Sequence, residues 1–206
     1  MKVDILDIGS GNIRSVKNWI EKSNVSTRVV TQAEGLESEM LILPGVGSAG
    51  SYMQRMKNGH FDEAIKDHVA KGNRLMGICL GFQIMMSYSE EDGHVEGLGL
   101  LDGYVERLPE NMSHNGWEPL SFRRNEMNGQ SFGNRHHLSQ KRIFEGRVFY
   151  NHEYGVVSEN EHAFSLAVGK NLEKYSGLLV QDNVIGIQFH PEKSQMSGTD
   201  LINMIL

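Results

Sequence analysis

Cys79 is the only cysteine among the 206 residues, and it lies in Gly77-Ile78-Cys79-Leu80-Gly81. Glycines two residues before and two after a nucleophile leave room for a sharp, strained turn between a strand and a helix. Arg74-Leu75-Met76-Gly77-Ile78 reads as a short buried strand and Phe82-Gln83-Ile84-Met85-Met86 as the first turns of an apolar helix. The sulfur would then project from the top of a sheet. There the positive end of the helix dipole and several free backbone N–H groups favour the thiolate, the form that attacks a carbonyl carbon. A buried, unreactive cysteine near glycines is the competing reading.

A base for such a thiol is available near the other end of the chain, in Val184-Ile185-Gly186-Ile187-Gln188-Phe189-His190-Pro191-Glu192. Pro191 biases His190 toward an extended conformation, in which residues two apart project to one side, so His190 and Glu192 share a neighbourhood. Histidine can take a proton from a thiol and return it to a leaving amine, while a carboxylate behind it fixes the ring tautomer and stabilises the imidazolium. Alone, His-Pro-Glu also fits a strand end with a solvated carboxylate. A third segment offers electrophilic help: Met40-Leu41-Ile42-Leu43 runs into Pro44-Gly45-Val46-Gly47, whose glycines permit an unusual backbone path. An N–H from Gly45, Val46 or Gly47, together with that of Leu80, could hold the oxyanion of a tetrahedral intermediate; an ordinary strand-to-helix turn has the same composition.

The elements that must position these groups follow an α/β order. Strand signals at Val3 to Ile8, Thr27 to Thr31, Met40 to Leu43 and Leu75 to Cys79 alternate with helical stretches, notably Ile13 to Lys22 and Phe61 to Lys71. That is the pattern of a doubly wound parallel sheet. After Gly93, strand signals crowd together at Gly103 to Arg107, Trp117 to Phe122, Val148 to Tyr150, Ala163 to Val168, Gly177 to Gln181 and Val184 to Phe189, as expected of antiparallel strands flanking the core.

Gly77 to Gln83, Pro44 to Gly47 and Phe189 to Glu192, in their order and separation, resemble the cysteine-triad class I glutamine amidotransferases. The opening Ile5-Leu6-Asp7-Ile8-Gly9-Ser10-Gly11-Asn12-Ile13-Arg14-Ser15-Val16 is similar to that of the glutaminase subunits of imidazole glycerol phosphate synthase. Glu96 to Leu100, His114 to Trp117, Phe149 to Tyr154 and Lys193-Ser194 extend the likeness over nearly the whole chain. The resemblance implies a flavodoxin-like three-layer α/β fold with a mostly parallel sheet and flanking antiparallel strands, in one domain over residues 1–206. It also implies L-glutamine as substrate, Cys79, His190 and Glu192 as the catalytic triad, and Gln83, His152 and Tyr154 as substrate-binding residues. Asn12, Trp117 and Lys193 would face a (β/α)8-barrel cyclase subunit that receives the ammonia for histidine biosynthesis.

Three features depart from that family. Glu118 follows Trp117 where the family usually has asparagine, the stretch from Arg123 to Gly146 is longer than usual and would form a hairpin or flap, and only a short helix follows the triad. A paralogous subunit that supplies ammonia for amidating a surface-polysaccharide sugar is therefore an alternative. Two readings lie outside the class. A cysteine hydrolase of the peptidase or stress-protein type would find His190-Pro191-Glu192 dispensable, and a non-catalytic interaction subunit would tolerate Cys79→Ala.

Composition bounds the remaining possibilities. At 39% hydrophobic and 22% charged residues, with a formal charge of −6 and a pI near 5.8, the chain carries no basic footprint for nucleic acid or acidic lipid. No apolar span or signal-like segment points to a membrane or to secretion, and a single unpaired cysteine fits a reducing cytoplasm. The nine histidines, including His136-His137, lack ligand spacing, so no metal or other cofactor is expected. Gly9-Ser10-Gly11-Asn12 lacks the third glycine and downstream acid of a dinucleotide loop. Met53, Met56, Met85 and Met86 fit core packing.

Overall fold

The computed structural model describes residues 2–127 and 143–205. Its strands are β1 (Lys2–Leu6), β2 (Ser26–Val30), β3 (Met40–Gly45), β4 (Arg74–Cys79), β5 (Tyr88–Ser89), β6 (Val95–Glu96), β7 (Gly103–Arg107), β8 (His114–Arg123), β9 (Ile143–His152), β10 (Tyr154–Ser158), β11 (Phe164–Ala167), β12 (Ser176–Gln181) and β13 (Val184–Ile187). The helices are α1 (Ile13–Glu21), α2 (Ala49–Asn58), α3 (Phe61–Ala70), α4 (Leu80–Gln83) and α5 (Gln195–Ile205). The central sheet runs β11-β12-β13-β4-β3-β1-β2. Its β13-β4-β3-β1-β2 portion is parallel, and β12 and β11 add antiparallel strands at one edge.

The alternation of side chains explains why the central strands read as unbroken apolar runs. In β3, Met40 and Ile42 enter one hydrophobic cluster while Leu41 and Leu43 enter the other. In β4, Met76 and Ile78 oppose Leu75 in the same way. A parallel strand covered on both faces has no solvent side to alternate with. Helices α1 and α5 cover the first face through Val16, Trp19 and Ile20 and through Leu201, Ile202 and Ile205, and the Trp19 indole N–H donates to the Gly198 carbonyl at 2.7 Å. Helices α2 and α3 cover the second. The buried residues of α2 are Ala49, Tyr52, Met53 and Met56, a full i, i+3, i+4, i+7 stripe.

Two smaller sheets pack onto the central one, adding Leu120, Phe122, Phe144, Val148 and Tyr150 to the first cluster and Val105 and Val156 to the second. One has the order β10-β7-β5-β6, and the other is the antiparallel pair β8–β9, in register from His114↔His152 to Arg123↔Ile143. That ribbon is longer at both ends than Trp117 to Phe122 and Val148 to Tyr150 suggest. The proposed hairpin or flap between its strands lies largely outside the described residues.

The elbow differs from expectation in one respect. Instead of opening a long apolar helix, Leu80–Gln83 form a single helical turn. The carbonyls that a continuing helix would need are taken by a later segment: Ile84 O accepts from Leu98 N–H at 2.7 Å, Met86 O from Gly99 at 3.1 Å and Met85 O from Leu100 at 2.9 Å. A single turn has little macrodipole, so the chemistry of Cys79 must rest on nearer groups. Two close approaches hold the turn against the sheet. A methyl group at Gly81 would overlap the Leu43 carbonyl, and one at Gly45 would overlap the Gly81 nitrogen. The Gly81→Ala variant is therefore expected to lose about 3 kcal/mol of stability or more, through overpacking against backbone that cannot yield. Urea unfolding of this variant beside Gly116→Ala separates overpacking from glycine replacement alone, because a Cβ at Gly116 meets nothing and Gly116 has no positive φ to strain.

Candidate functional site

The parallel strands bring the candidate residues to their C-terminal ends. Gly45 pairs in register with Cys79 across β3 and β4, and β13 runs alongside β4 and carries the chain on to His190. Cys79 has φ +54° and ψ −112°, a left-handed conformation that a β-carbon disfavours and that aims the sulfur off the end of its strand. Cys79, Leu80, Val46, Gly47, Gln83, His152, Tyr154, His190 and Lys193 all line one cavity of about 480 Å³.

His190 stands behind Cys79 and in front of Glu192. Its Nδ1 lies 2.9 Å from Glu192 Oε1, both side chains being almost wholly buried. Its backbone is held as well, because His190 N–H donates to Phe149 O at 2.8 Å and Ser194 Oγ donates to His190 O at 2.7 Å. Burial alone would lower the imidazole pKa. Hydrogen bonding and charge from Cys79 and Glu192 outweigh it and raise the value to about 9. The ring thus carries its proton at neutral pH beside the sulfur, an arrangement able to pair a thiolate nucleophile with a proton donor for a leaving group.

Val46 does not present its N–H to the cavity as an oxyanion donor would. Its N–H donates to Ser10 O at 3.2 Å, and its carbonyl accepts from Ser10 Oγ at 2.6 Å. In this conformation the Val46 N–H is committed to a neighbouring loop and not to the cavity.

Gln83 is buried, and its Nε2 donates to Tyr154 O at 2.8 Å and to Gln188 Oε1 at 3.1 Å. His152 has both ring nitrogens engaged: Nδ1 meets the same Tyr154 carbonyl at 2.8 Å, and Nε2 meets His114 Nδ1 at 3.1 Å. His114 Nε2 in turn lies 3.3 Å from Glu118 Oε1. His152 thus braces the cavity wall, with neither nitrogen left for a ligand. The Tyr154 side chain is tied to Arg107, whose Nη1 is 3.3 Å from its hydroxyl.

Burial, with the charges of His114 and His190, pushes the His152 pKa from 6.5 down to about 4 against the opposing Tyr154 carbonyl. The unfolded chain therefore takes up a proton near the ordinary value, while the folded chain resists until about 4. The stabilising contribution is present above pH 6.5 and lost as pH falls through 4, to a limit of about 3 kcal/mol. The stability difference between wild type and His152→Gln is expected to narrow over that window, as measured by urea unfolding at each pH.

Asn12 and Trp117 lie away from the cavity. Asn12 precedes α1, and Trp117 lines a separate depression with Arg147 and Ser194 to Ser197. Lys193 links the two regions, since it lines the first cavity while its Nζ sits 5.8 Å from the Phe149 ring, which packs against Trp117. Two groups in the site carry no motif. Gln188 reaches Cys79 Sγ with Nε2 at 3.8 Å; its signal was its place two residues before His190 on an extended segment. Glu91 also lines the cavity, accepting from Ala49 N–H at 2.9 Å, and burial raises its pKa. Among the described residues no His, Cys, Asp and Glu cluster could hold a metal, and no helix is long and apolar enough to cross a membrane.

This geometry belongs to a recognised class. The family model described as Glutamine amidotransferase class-I matches residues 4–204, and the chain belongs to that family. More particularly, it is 34% identical over 213 residues to a protein of Syntrophotalea carbinolica named imidazole glycerol phosphate synthase subunit HisH, covering 96% of both chains. A protein of the same name from Aquifex aeolicus is 34% identical, over 98% of this chain and 94% of that one. The imidazole glycerol phosphate synthase hisHF of Emericella nidulans is 31% identical over 99% of this chain but only 37% of its own length. Among solved structures, that of PurLQS from Thermotoga maritima superposes with a TM-score of 0.74 at 21% identity over 98% of this chain and 94% of that one, which supports the fold.

Proposed function

We propose that this chain is the glutaminase component of an imidazole glycerol phosphate synthase, acting as one catalytic domain in the cytoplasm and needing no cofactor. The observation that carries the reading is His190, held between Cys79 and Glu192 at the mouth of a cavity. The near full-length likeness to HisH subunits supports the choice of pathway. Cys79 attacks the side-chain carbonyl carbon of L-glutamine. The oxyanion is held by the backbone N–H of Leu80 and by one from the Gly45 to Gly47 loop once that loop turns. His190 protonates the departing ammonia and then, neutral, draws a proton from the water that cleaves the thioester, while Glu192 orients the ring. Gln83 and the Glu91 carboxylate suit the α-ammonium group of the substrate, and His152 holds the Tyr154 segment in place.

The ammonia passes to a (β/α)8-barrel cyclase subunit docked over Asn12, Trp117 and Lys193. The fungal protein whose remaining length extends beyond its match to this chain supports a second working unit of this kind. The test is to combine the purified chain with the barrel subunit of the same organism and measure glutamate release with and without the histidine-pathway nucleotide. Stimulation by that nucleotide is expected. A complex that responds instead to a surface-sugar acceptor, or to neither, overturns the assignment.

A further inference from the structure

Gln188 is fully buried just beyond β13, and its backbone N–H is anchored to Gly177 O at 2.9 Å. Its carboxamide bridges two parts of the site. Oε1 accepts from Gln83 Nε2 at 3.1 Å and Nε2 donates to Cys79 Sγ at 3.8 Å. The orientation is determined by its neighbours. Gln83 Nε2 also donates to the Tyr154 carbonyl, which can only accept, so Gln83 turns its nitrogen toward Gln188. Gln188 must answer with its oxygen, and its N–H is left facing the sulfur.

The two polar contacts of the sulfur with neutral groups favour opposite protonation states. Cys79 Sγ also lies 4.0 Å from Asn151 O, a contact that is a hydrogen bond only while the thiol keeps its proton. The N–H of Gln188 gains strength when the sulfur is ionised. We propose that Gln188 is a positioning residue of the nucleophile, donating to the Cys79 thiolate and, through its oxygen, holding Gln83 so that the Gln83 oxygen faces the cavity. The proposal rests on the reading of Cys79 as the reactive group, but not on glutamine as the substrate. The titratable and charged groups around the sulfur are His190 with Glu192 behind it, His152 and Glu153 at the end of β9, Glu91 and Lys193. None of them is altered in the variants that test Gln188.

Because Cys79 is the only cysteine, alkylation of the full chain by iodoacetamide, a small uncharged probe, reports one site. In Gln188→Met, close in shape and without the donor, the rate–pH curve is expected to move up by about one pH unit, which is about a tenfold slower reaction below its midpoint. In Gln188→Glu the shift is expected to be larger, since a carboxylate repels the thiolate. A purely structural role would lower the folded fraction, followed by near-ultraviolet circular dichroism, without moving the curve of the folded protein. Curves that superpose on wild type overturn the proposal, and Gln188→Met decides the matter alone if the buried carboxylate prevents folding. Loss of the glutamine assignment with the alkylation shift intact would overturn the substrate and leave this role standing.

Discussion

Cys79→Ala is expected to reduce glutamine hydrolysis by the assembled complex at least about 10⁴-fold, while the barrel subunit continues to turn over with an ammonium salt in place of glutamine. The carboxamide of glutamine is a poor electrophile, and without a covalent intermediate the remaining groups can only bind it and polarise it. Water would have to attack directly, with no thioester to divide the barrier. His190→Ala should fall in the same range, because an unpaired thiol lacks both its charge partner and the proton that ammonia must carry away. The two losses should not add: a double variant is expected to be about as slow as either single one, since each breaks the same unit. Steady-state glutamate release measures the first quantity and ammonium-dependent product formation the second. A Cys79→Ala complex that kept more than about a hundredth of wild-type glutaminase activity would remove Cys79 from the role of nucleophile. The ammonium arm guards against a trivial outcome, because a misfolded or undocked chain is separately detectable by gel filtration of the complex.

The parts of this site that could be read from the residues are those whose chemistry is local. A glycine-flanked cysteine, a histidine fixed by a following proline and a strand that runs into Pro-Gly-Val-Gly each carry their own geometric instructions, and the parallel sheet joins them through strand ends alone. Where the reading fell short, distant chain segments decided the outcome. The helix after Cys79 stops at one turn because the residues from Leu98 to Leu100 take its carbonyls, and nothing within Phe82 to Met86 encodes that competition. Of helix α2 only the spacing of Met53 and Met56 is legible, because glycine and polar residues interrupt the stripe that Ala49 and Tyr52 complete. The β8 strand begins at His114, ahead of the strand signal at Trp117, because Asn115 and Gly116, which ordinarily argue against a strand, pair with Asn151 and Tyr150 of β9. Gln188 and Glu91 belong to no motif and acquire meaning only from what the fold sets against them. The direction of the Val46 peptide could not be read at all, since a peptide plane can rotate without changing any residue.

That rotation sets the second large effect. The isolated chain is expected to hydrolyse glutamine about 10²- to 10³-fold more slowly than the complex with acceptor bound, because one oxyanion donor is worth about 3 kcal/mol in such sites. Ser10 holds Val46 on both sides: its carbonyl accepts from the N–H of the Gly45–Val46 peptide at 3.2 Å, and its hydroxyl donates to the carbonyl of the next peptide, Val46–Gly47, at 2.6 Å. The flanking residues leave the peptide free to turn once released: Gly45 and Gly47 lack side chains, and Gly47 already has φ +104°. Val46 itself is 44% exposed, so a docked partner can reach it directly. If the Ser10 hydroxyl contributes about 1 kcal/mol to the closed arrangement, Ser10→Ala should raise the basal rate of the isolated chain roughly fivefold. The stimulated rate of the complex should change little, because there the peptide has already turned and the tether is absent. This asymmetry distinguishes restraint from general damage, which would lower both rates. Equal turnover by the isolated chain and the complex would mean that the donor is already in place. A Ser10→Ala chain with an unchanged basal rate would locate the restraint in the Ser10 carbonyl or elsewhere in the loop.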